Sequence, residues 1–124
     1  MKDSRPVNLD IGTIKLPITA YASISHRVSG VAMVAFSFVL LWAFDASLSS
    51  RESFDSLVSL LSGFGARAAV WVIGVALLYH SLAGVKHLIM DFGVGESLEG
   101  GVLGSRIVFI LTLLGAAALG VALW

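Results

Sequence analysis

Two histidines in the second half of the chain have the residue type and spacing to bind a cofactor inside a membrane. His80 lies within the uncharged stretch 68–85, and His80, Gly84 and His87 follow one another at intervals of four and three residues. This spacing places them on one face of an α-helix. An ionisable side chain within a membrane span is costly and marks a candidate functional site, and imidazole is a common ligand of heme iron. The sequence therefore predicts His80 as a cofactor ligand.

The same residues allow simpler interpretations. A single histidine in a membrane can hydrogen-bond to a neighbouring helix, which contributes about 0.6–2 kcal/mol. A metal ion without a porphyrin usually needs more nitrogen, oxygen or sulfur ligands, although spacing alone does not separate the two kinds of site. A proton relay in a transporter requires further ionisable groups along its path, and the other two uncharged stretches contain none.

A second polar group opens the first apolar stretch. Ser23, His26 and Arg27 stand at positions i, i+3 and i+4 and therefore share a helix face. Arginine is suited to pairing with a carboxylate such as a heme propionate, and serine and arginine can both hold a quinone carbonyl oxygen. The plainer interpretation is that Arg27 extends to the membrane surface while the serines cap the helix.

These polar residues lie within or directly beside long uncharged stretches, of which the chain has three. Charged residues make up only 13% of the 124 residues, against about 25% in soluble domains. The uncharged stretches are 28–44, 68–85 and 107–124, each 17 or 18 residues long, which matches the roughly 17–25 residues of a spanning helix. The sequence predicts an all-α integral membrane protein with a single transmembrane domain, residues 1–124, and helices at about 24–44, 67–90 and 106–124.

Basic residues favour a cytoplasmic N-terminus and a periplasmic C-terminus. Six of them, against Arg51 and Arg67 in the first loop, are expected on the cytoplasmic side: Lys2, Arg5, Lys15, Arg27, Lys86 and Arg106. Residues 1–22 are then a cytoplasmic segment. We expect a short amphipathic helix within the first loop, 45–67, a glycine-rich second loop at 91–105, and close helix packing at the small residues of 115–120.

The absence of certain residues limits the chemistry. The chain has no cysteine, which excludes disulfides, cysteine-ligated iron–sulfur clusters and covalent c-type heme. Its first 20 residues have no continuous apolar run, so a signal peptide is not expected. Spanning helices occupy most of the chain, and a soluble catalytic domain must therefore come from a partner.

Two motifs carry a family resemblance over essentially the whole chain. Residues 23–30 read SISHRVSG, and residues 80–93 read HSLAGVKHLIMDFG. These fit S-x-x-H-R-x-[ST]-G and H-x-x-x-G-x-[RK]-H-[LM]-x-x-D, the patterns of the cytochrome b membrane-anchor subunit of succinate dehydrogenase, which the chain resembles. Residues 5–10 and 16–19 support the match. Lys86 stands where relatives often carry arginine, so a bidentate propionate contact is not expected there.

The resemblance assigns roles to particular residues. It implies that His80 is an axial ligand of the iron of a heme b shared with a second three-helix anchor subunit. His87, His26 and Arg27 match positions near the heme propionates. Ser23 and Arg27 match residues of the ubiquinone site, which would lie next to the iron–sulfur subunit.

The resemblance also implies a setting. The chain would be a multi-pass subunit of succinate:ubiquinone oxidoreductase in the bacterial inner (cytoplasmic) membrane, in contact with lipid and not with nucleic acid. FAD and iron–sulfur clusters would lie on partner chains, a flavoprotein and an iron–sulfur protein, and no dicarboxylate chemistry would occur on this chain. The alternative is a structural anchor of a fumarate reductase-like complex without its own redox site.

Overall fold

The computed structural model of the protein, which describes residue 10 and residues 12–124, consists of four α-helices. They are α1 (Ile18–Ser49), α2 (Arg51–Ser62), α3 (Phe64–Asp91) and α4 (Leu98–Leu123). No strand occurs in this part of the chain. The predicted all-α class is therefore confirmed. Residues 1–9, which include Lys2, Arg5 and most of the 5–10 motif, lie outside the described residues.

Three of the helices are long and apolar enough to cross a membrane: α1, α3 and α4. They contain 32, 28 and 26 residues, and at about 1.5 Å per residue even the shortest exceeds a hydrocarbon core of about 30 Å. Each begins earlier than the apolar pattern alone predicts. Helix α1 starts directly after Pro17, whose extended backbone forms the N-cap, rather than near residue 24. The orientation of the termini across the membrane stays a prediction.

The short helix expected in the first loop is present as α2. The Ser50 side chain caps it by accepting a hydrogen bond from the Ser53 backbone N–H. The Ser53 hydroxyl in turn donates to the Ala46 carbonyl, at 2.7 Å, and ties α2 back to α1. The expectation of a loop over 45–67 is otherwise wrong, because α1 continues to Ser49 and Gly63 is the only residue between α2 and α3.

The predicted glycine-rich loop over 91–105 is also too long. Gly93 and Gly95 form the turn with positive φ angles of 81° and 76°. Residues other than glycine rarely adopt such angles. Ser97 then caps α4 by accepting from the Gly100 N–H. The later glycines are helical, and they allow close approach rather than a loop: a Cβ on Gly101 would lie 3.6 Å from Thr19 Cγ2 of α1.

Helix α3 is the centre of the bundle and packs against both other long helices. Its Tyr79 hydroxyl donates to the Ala22 carbonyl of α1, at 2.8 Å, and its Trp71 Nε1–H donates to the Ala116 carbonyl of α4, at 2.8 Å. Tyr79 and Ala83 of α3 form the buried apolar core together with Val108 of α4. These contacts fix the register of the three long helices.

Most large apolar side chains face outward. Phe38 is 68% exposed and Val121 is 83% exposed, as are many others along α1, α3 and α4. An apolar surface of this extent requires lipid or partner helices around it rather than water. The fold is therefore that expected of a membrane-spanning helix bundle.

Candidate functional site

Three histidine rings meet between α1 and α3. His26 of α1 stacks on His80 of α3 with ring centroids 4.3 Å apart and an interplanar angle of 24°. On its other side His26 approaches His87, with centroids 5.2 Å apart. The predicted sharing of one α3 face by His80 and His87 is thus confirmed, and His26 lies at the level of both.

One nitrogen of His80 is held by α1. The hydroxyl of Ser29 donates to the His26 carbonyl, at 2.8 Å, and its oxygen lies 3.0 Å from His80 Nδ1. A serine hydroxyl has one hydrogen, so the His80 contact is a bond that Nδ1–H donates to Ser29. Nε2 then carries the lone pair and forms no hydrogen bond within residues 12–124. The simple interpretation, that His80 bonds to a neighbouring helix, accounts for only one of its two nitrogens.

His26 carries the one buried side-chain nitrogen or oxygen that lacks a hydrogen-bond partner in the described part of the chain, its Nε2. A buried polar atom in this state costs about 1–3 kcal/mol. Gly84 lies opposite, and a Cβ added there would be 3.8 Å from that nitrogen. An unpaired polar group that a fold retains at such a cost calls for a specific explanation, such as a ligand.

Ser23 and Arg27 lie one turn apart at the beginning of α1. Ser23 is half-buried and Arg27 is exposed. Neither side chain forms a hydrogen bond or ion pair with the described residues. This sets Ser23 apart from Ser29 and Ser37, whose hydroxyls donate to carbonyls of their own helix. Both polar groups remain available to a ligand or partner, but the structure does not bring them into contact with the histidine rings.

Lys86 is placed away from this cluster. Its aliphatic stem lies along α4, where a Cβ on Gly104 would be 3.2 Å from Lys86 Cε. It also lines an apolar groove of about 370 Å³ between α3 and α4. Successive residues of a helix point about 100° apart, so Lys86 leaves α3 in a different direction from His87. Lys86 is therefore not part of the histidine face.

Sequence reasoning missed Ser29 and Tyr79 as residues that hold the site. Ser29 was read only as part of a motif and a helix cap, yet it is 8% exposed and bonds to His80. Its position three residues after His26, on the same helix face, was the available signal. No feature of the local sequence predicts the hydrogen bond from Tyr79 to the Ala22 carbonyl.

The residues present fit one side of a heme. The His80 ring is anchored at Nδ1 and has Nε2 free, which is the arrangement of a metal-ligating histidine with its outer partner. The buried His26 Nε2 can donate to a carboxylate. No group of three or more His, Asp or Glu that could hold a metal ion by itself occurs among residue 10 and residues 12–124. The cluster is thus better suited to a cofactor that brings its own equatorial ligands.

Comparison with known proteins agrees with this description. Residues 1–121 match the family described as the succinate dehydrogenase/fumarate reductase transmembrane subunit. The chain is 35% identical to the succinate dehydrogenase cytochrome b556 subunit of Coxiella burnetii, over all of both proteins. It is 31% identical to the subunit of the same name from Paracoccus denitrificans, with 91% of this chain and 92% of that protein covered.

A relative of lower identity carries a similar name. The succinate dehydrogenase cytochrome b560 subunit of Reclinomonas americana is 28% identical, over 92% of this chain and 85% of that protein. The family match runs from residue 1 to residue 121, and therefore includes the histidine cluster and nearly all of the bundle that positions it. The chain belongs to the family of transmembrane subunits of succinate dehydrogenase and fumarate reductase.

Proposed function

We propose that this chain is the cytochrome b anchor subunit of a succinate:ubiquinone oxidoreductase, and that His80 is one axial ligand of a heme b. The observation that carries the proposal is the histidine cluster between α1 and α3, in which His80 is held by one nitrogen only. The relatives' names include cytochrome b, which supports a heme in this chain. A heme b held there can accept and donate single electrons.

The two other rings are proposed to bind the heme propionates. His26 stacks directly on His80 and keeps a buried Nε2 without a partner. The His87 ring lies next to that of His26, close to the end of α3 at Asp91. A hydrogen bond to a charged group stabilises by about 1.5–3 kcal/mol, which would offset the cost of the unpaired nitrogen. Arg27, one residue after His26, can add a positive charge at the surface.

Ser23 and Arg27 are proposed to line the ubiquinone site. Both lie at the beginning of α1 with polar groups that the described residues leave unpaired. Ser23 would donate a hydrogen bond to a quinone carbonyl oxygen, and Arg27 would stabilise the negative charge that develops there during reduction. Reduction of ubiquinone to ubiquinol takes up two electrons and two protons, and oxidation of succinate to fumarate supplies the same numbers.

Partner chains complete this proposal. The second axial ligand would come from another three-helix anchor, because the described part of this chain offers His26 and His87 only on the same side as His80. Flavin and iron–sulfur clusters would lie on a flavoprotein and an iron–sulfur protein, docked at the end where α1 begins. In a bacterium the complex would lie in the inner membrane, with that end in the cytoplasm.

The first test is a visible difference spectrum, succinate-reduced minus air-oxidised, of the complex purified through a tag on this chain. We expect a b-type band in the wild type. His80→Ala should lose or weaken it, because the variant removes the proposed ligand atom Nε2. Ser81→Ala, which changes an exposed neighbouring residue, should leave it unchanged.

The outcomes separate the possible functions. A band in the wild type that is retained in full in His80→Ala would refute the axial assignment. If the wild type shows no band with succinate or with dithionite, the chain is a structural anchor without its own redox site.

The ubiquinone assignment has its own test, the ratio of ubiquinone reduction to reduction of a soluble artificial acceptor. Ser23→Ala and Arg27→Gln should lower ubiquinone reduction, the latter by about 10- to 100-fold, and leave the soluble-acceptor rate unchanged. Arg51→Gln is the control, because Arg51 is also exposed but lies at the other end of α1, in an ion pair with Asp55 at 3.7 Å. Equal loss in both assays would indicate failed assembly and contradict the proposal.

A further inference from the structure

We propose that Ser29 is a positioning residue for His80: its hydroxyl, together with the space left by Gly30, fixes the tautomer and orientation of the imidazole so that Nε2 faces the iron. This inference rests on the proposed function, because it concerns the presentation of the heme ligand. It gives a role to Ser29 and Gly30, two residues of the first motif that the ligand, propionate and quinone assignments do not use.

The hydrogen-bond chain determines which nitrogen is protonated. The Ser29 hydroxyl donates to the His26 carbonyl, at 2.8 Å, and its oxygen lies 3.0 Å from His80 Nδ1. The reverse arrangement, in which Ser29 donates to an unprotonated Nδ1, would give up the bond to the carbonyl. The geometry thus favours Nδ1–H and an Nε2 lone pair, the tautomer that a ligand bound through Nε2 requires.

Burial strengthens this control. Ser29 is 8% exposed, so water cannot easily replace either of its hydrogen bonds. A hydrogen bond in a low-dielectric environment is electrostatically stronger than one in water, and a missing one is more costly. The imidazole is therefore held at Nδ1 before a heme is bound.

Gly30 provides the space for this contact. A Cβ on Gly30 would lie 3.1 Å from His80 Cε1, closer than ordinary van der Waals contact. Gly30 lies within α1 and has no positive φ angle, so its backbone does not need glycine. The glycine allows the ring edge to approach α1 closely enough for Nδ1 to reach the Ser29 oxygen.

The test uses the purified complex and three measurements: heme per flavin, the low-temperature EPR spectrum of the oxidised heme, and the rate of heme transfer to an excess of an apoprotein acceptor. Loss of an outer partner of a metal-ligating histidine typically lowers affinity 10- to 100-fold. Ser29→Ala should therefore release heme about 10- to 100-fold faster and shift the EPR signal, which reports the orientation of the axial imidazole.

Two variants of serine provide the controls. Ser29→Thr keeps the hydroxyl and should restore the wild-type spectrum and release rate. Ser37→Ala removes an equivalent bond, from the Ser37 hydroxyl to the Val34 carbonyl at 2.6 Å, on an exposed part of α1 without a histidine neighbour. It should match the wild type. Wild-type behaviour of Ser29→Ala in all three measurements would overturn the proposal.

A glycine pair keeps the proposal testable if Ser29→Ala does not assemble. Gly30→Ala should displace the ring and shift the EPR signal although Ser29 is intact. Gly65→Ala, where an added Cβ meets no atom within 4 Å, should not. An unshifted Gly30→Ala spectrum overturns the inference. Failure of the proposed function gives a different result, because His80→Ala would then retain heme or the wild type would have none.

Discussion

The interface of α3 with α4 and its interface with α1 consist of different kinds of contact. Toward α4, small residues receive large side chains: Gly115 lies against Leu78, and Gly74 lies against Leu119. Polar groups at this interface are paired: Trp71 Nε1–H donates to the Ala116 carbonyl and the Arg67 guanidinium donates to the Leu123 carbonyl. Close backbone approach and satisfied hydrogen bonds are what stabilise helix pairs in lipid. This side of α3 holds the bundle together.

Toward α1, the same helix presents imidazoles instead of methyl groups. His26 and His80 stack there, and the buried His26 Nε2 has no partner within residues 12–124. Such a group lowers stability unless a ligand pairs with it. The α3–α4 interface is thus close-packed, whereas the α1–α3 interface retains an unpaired polar atom. Under the proposed function this atom serves binding, a compromise common at functional sites.

The packing side should be the more sensitive to added volume. Gly115→Val places a branched side chain against Leu78, and overpacking of this kind costs about 1–3 kcal/mol. We expect a lower thermal unfolding temperature of the complex in detergent and an unchanged heme spectrum in the fraction that remains folded. Ala117→Val, on an exposed part of α4, is the control, and an equal effect of the two variants would contradict the packing argument.

The binding side should respond in the opposite direction. His26→Phe removes the unpaired nitrogen and keeps a flat ring, so the heme-free chain in detergent should gain about 1 kcal/mol of stability. The complex should at the same time release heme faster, because the variant removes the proposed propionate contact. A His26→Phe chain that is less stable without heme would show that His26 contributes to packing and not to binding.

These two sides were not equally predictable from sequence. The apolar stretches and the small residues of 115–120 correctly predicted three long helices and close helix packing, because composition determines both; which helix packs against 115–120 was not predicted. The ends of the helices were predicted less well. Helical glycines such as Gly100 and Gly101 were assigned to a loop, since sequence does not distinguish a glycine needed for a turn from one needed for close approach.

Within the site, spacing placed His80 and His87 on one helix face and His26 on a face of another helix, and the resemblance assigned His26 to the propionate region. The bond from His80 to Ser29 depends on how α1 and α3 are rotated against each other, and no pattern within either helix specifies that rotation. The position of Lys86 against α4 likewise depends on how α3 and α4 are rotated against each other. Contacts within a helix were therefore predictable, whereas contacts between helices needed the structure.

The smallest expected effect separates the two interfaces most directly. Trp71 and Tyr79 each donate one 2.8 Å hydrogen bond to a carbonyl of a neighbouring helix, Trp71 to α4 and Tyr79 to α1. Trp71→Phe and Tyr79→Phe should each cost about 0.6 kcal/mol, the mean for such bonds in a membrane, as measured by unfolding in detergent. Their effects on stability alone do not distinguish binding from packing.

The heme spectrum should distinguish them. The Tyr79 acceptor, Ala22, lies one turn before His26 on α1, so loss of its bond loosens the helix that holds His26 and Ser29. Tyr79→Phe should therefore broaden the EPR signal of the heme, whereas Trp71→Phe should leave it as in the wild type, because α4 contributes no residue to the histidine cluster. Equal spectra for the two variants would mean that α1 is held in place by its other contacts, and that the α1–α3 interface is more rigid than the unpaired His26 Nε2 suggests.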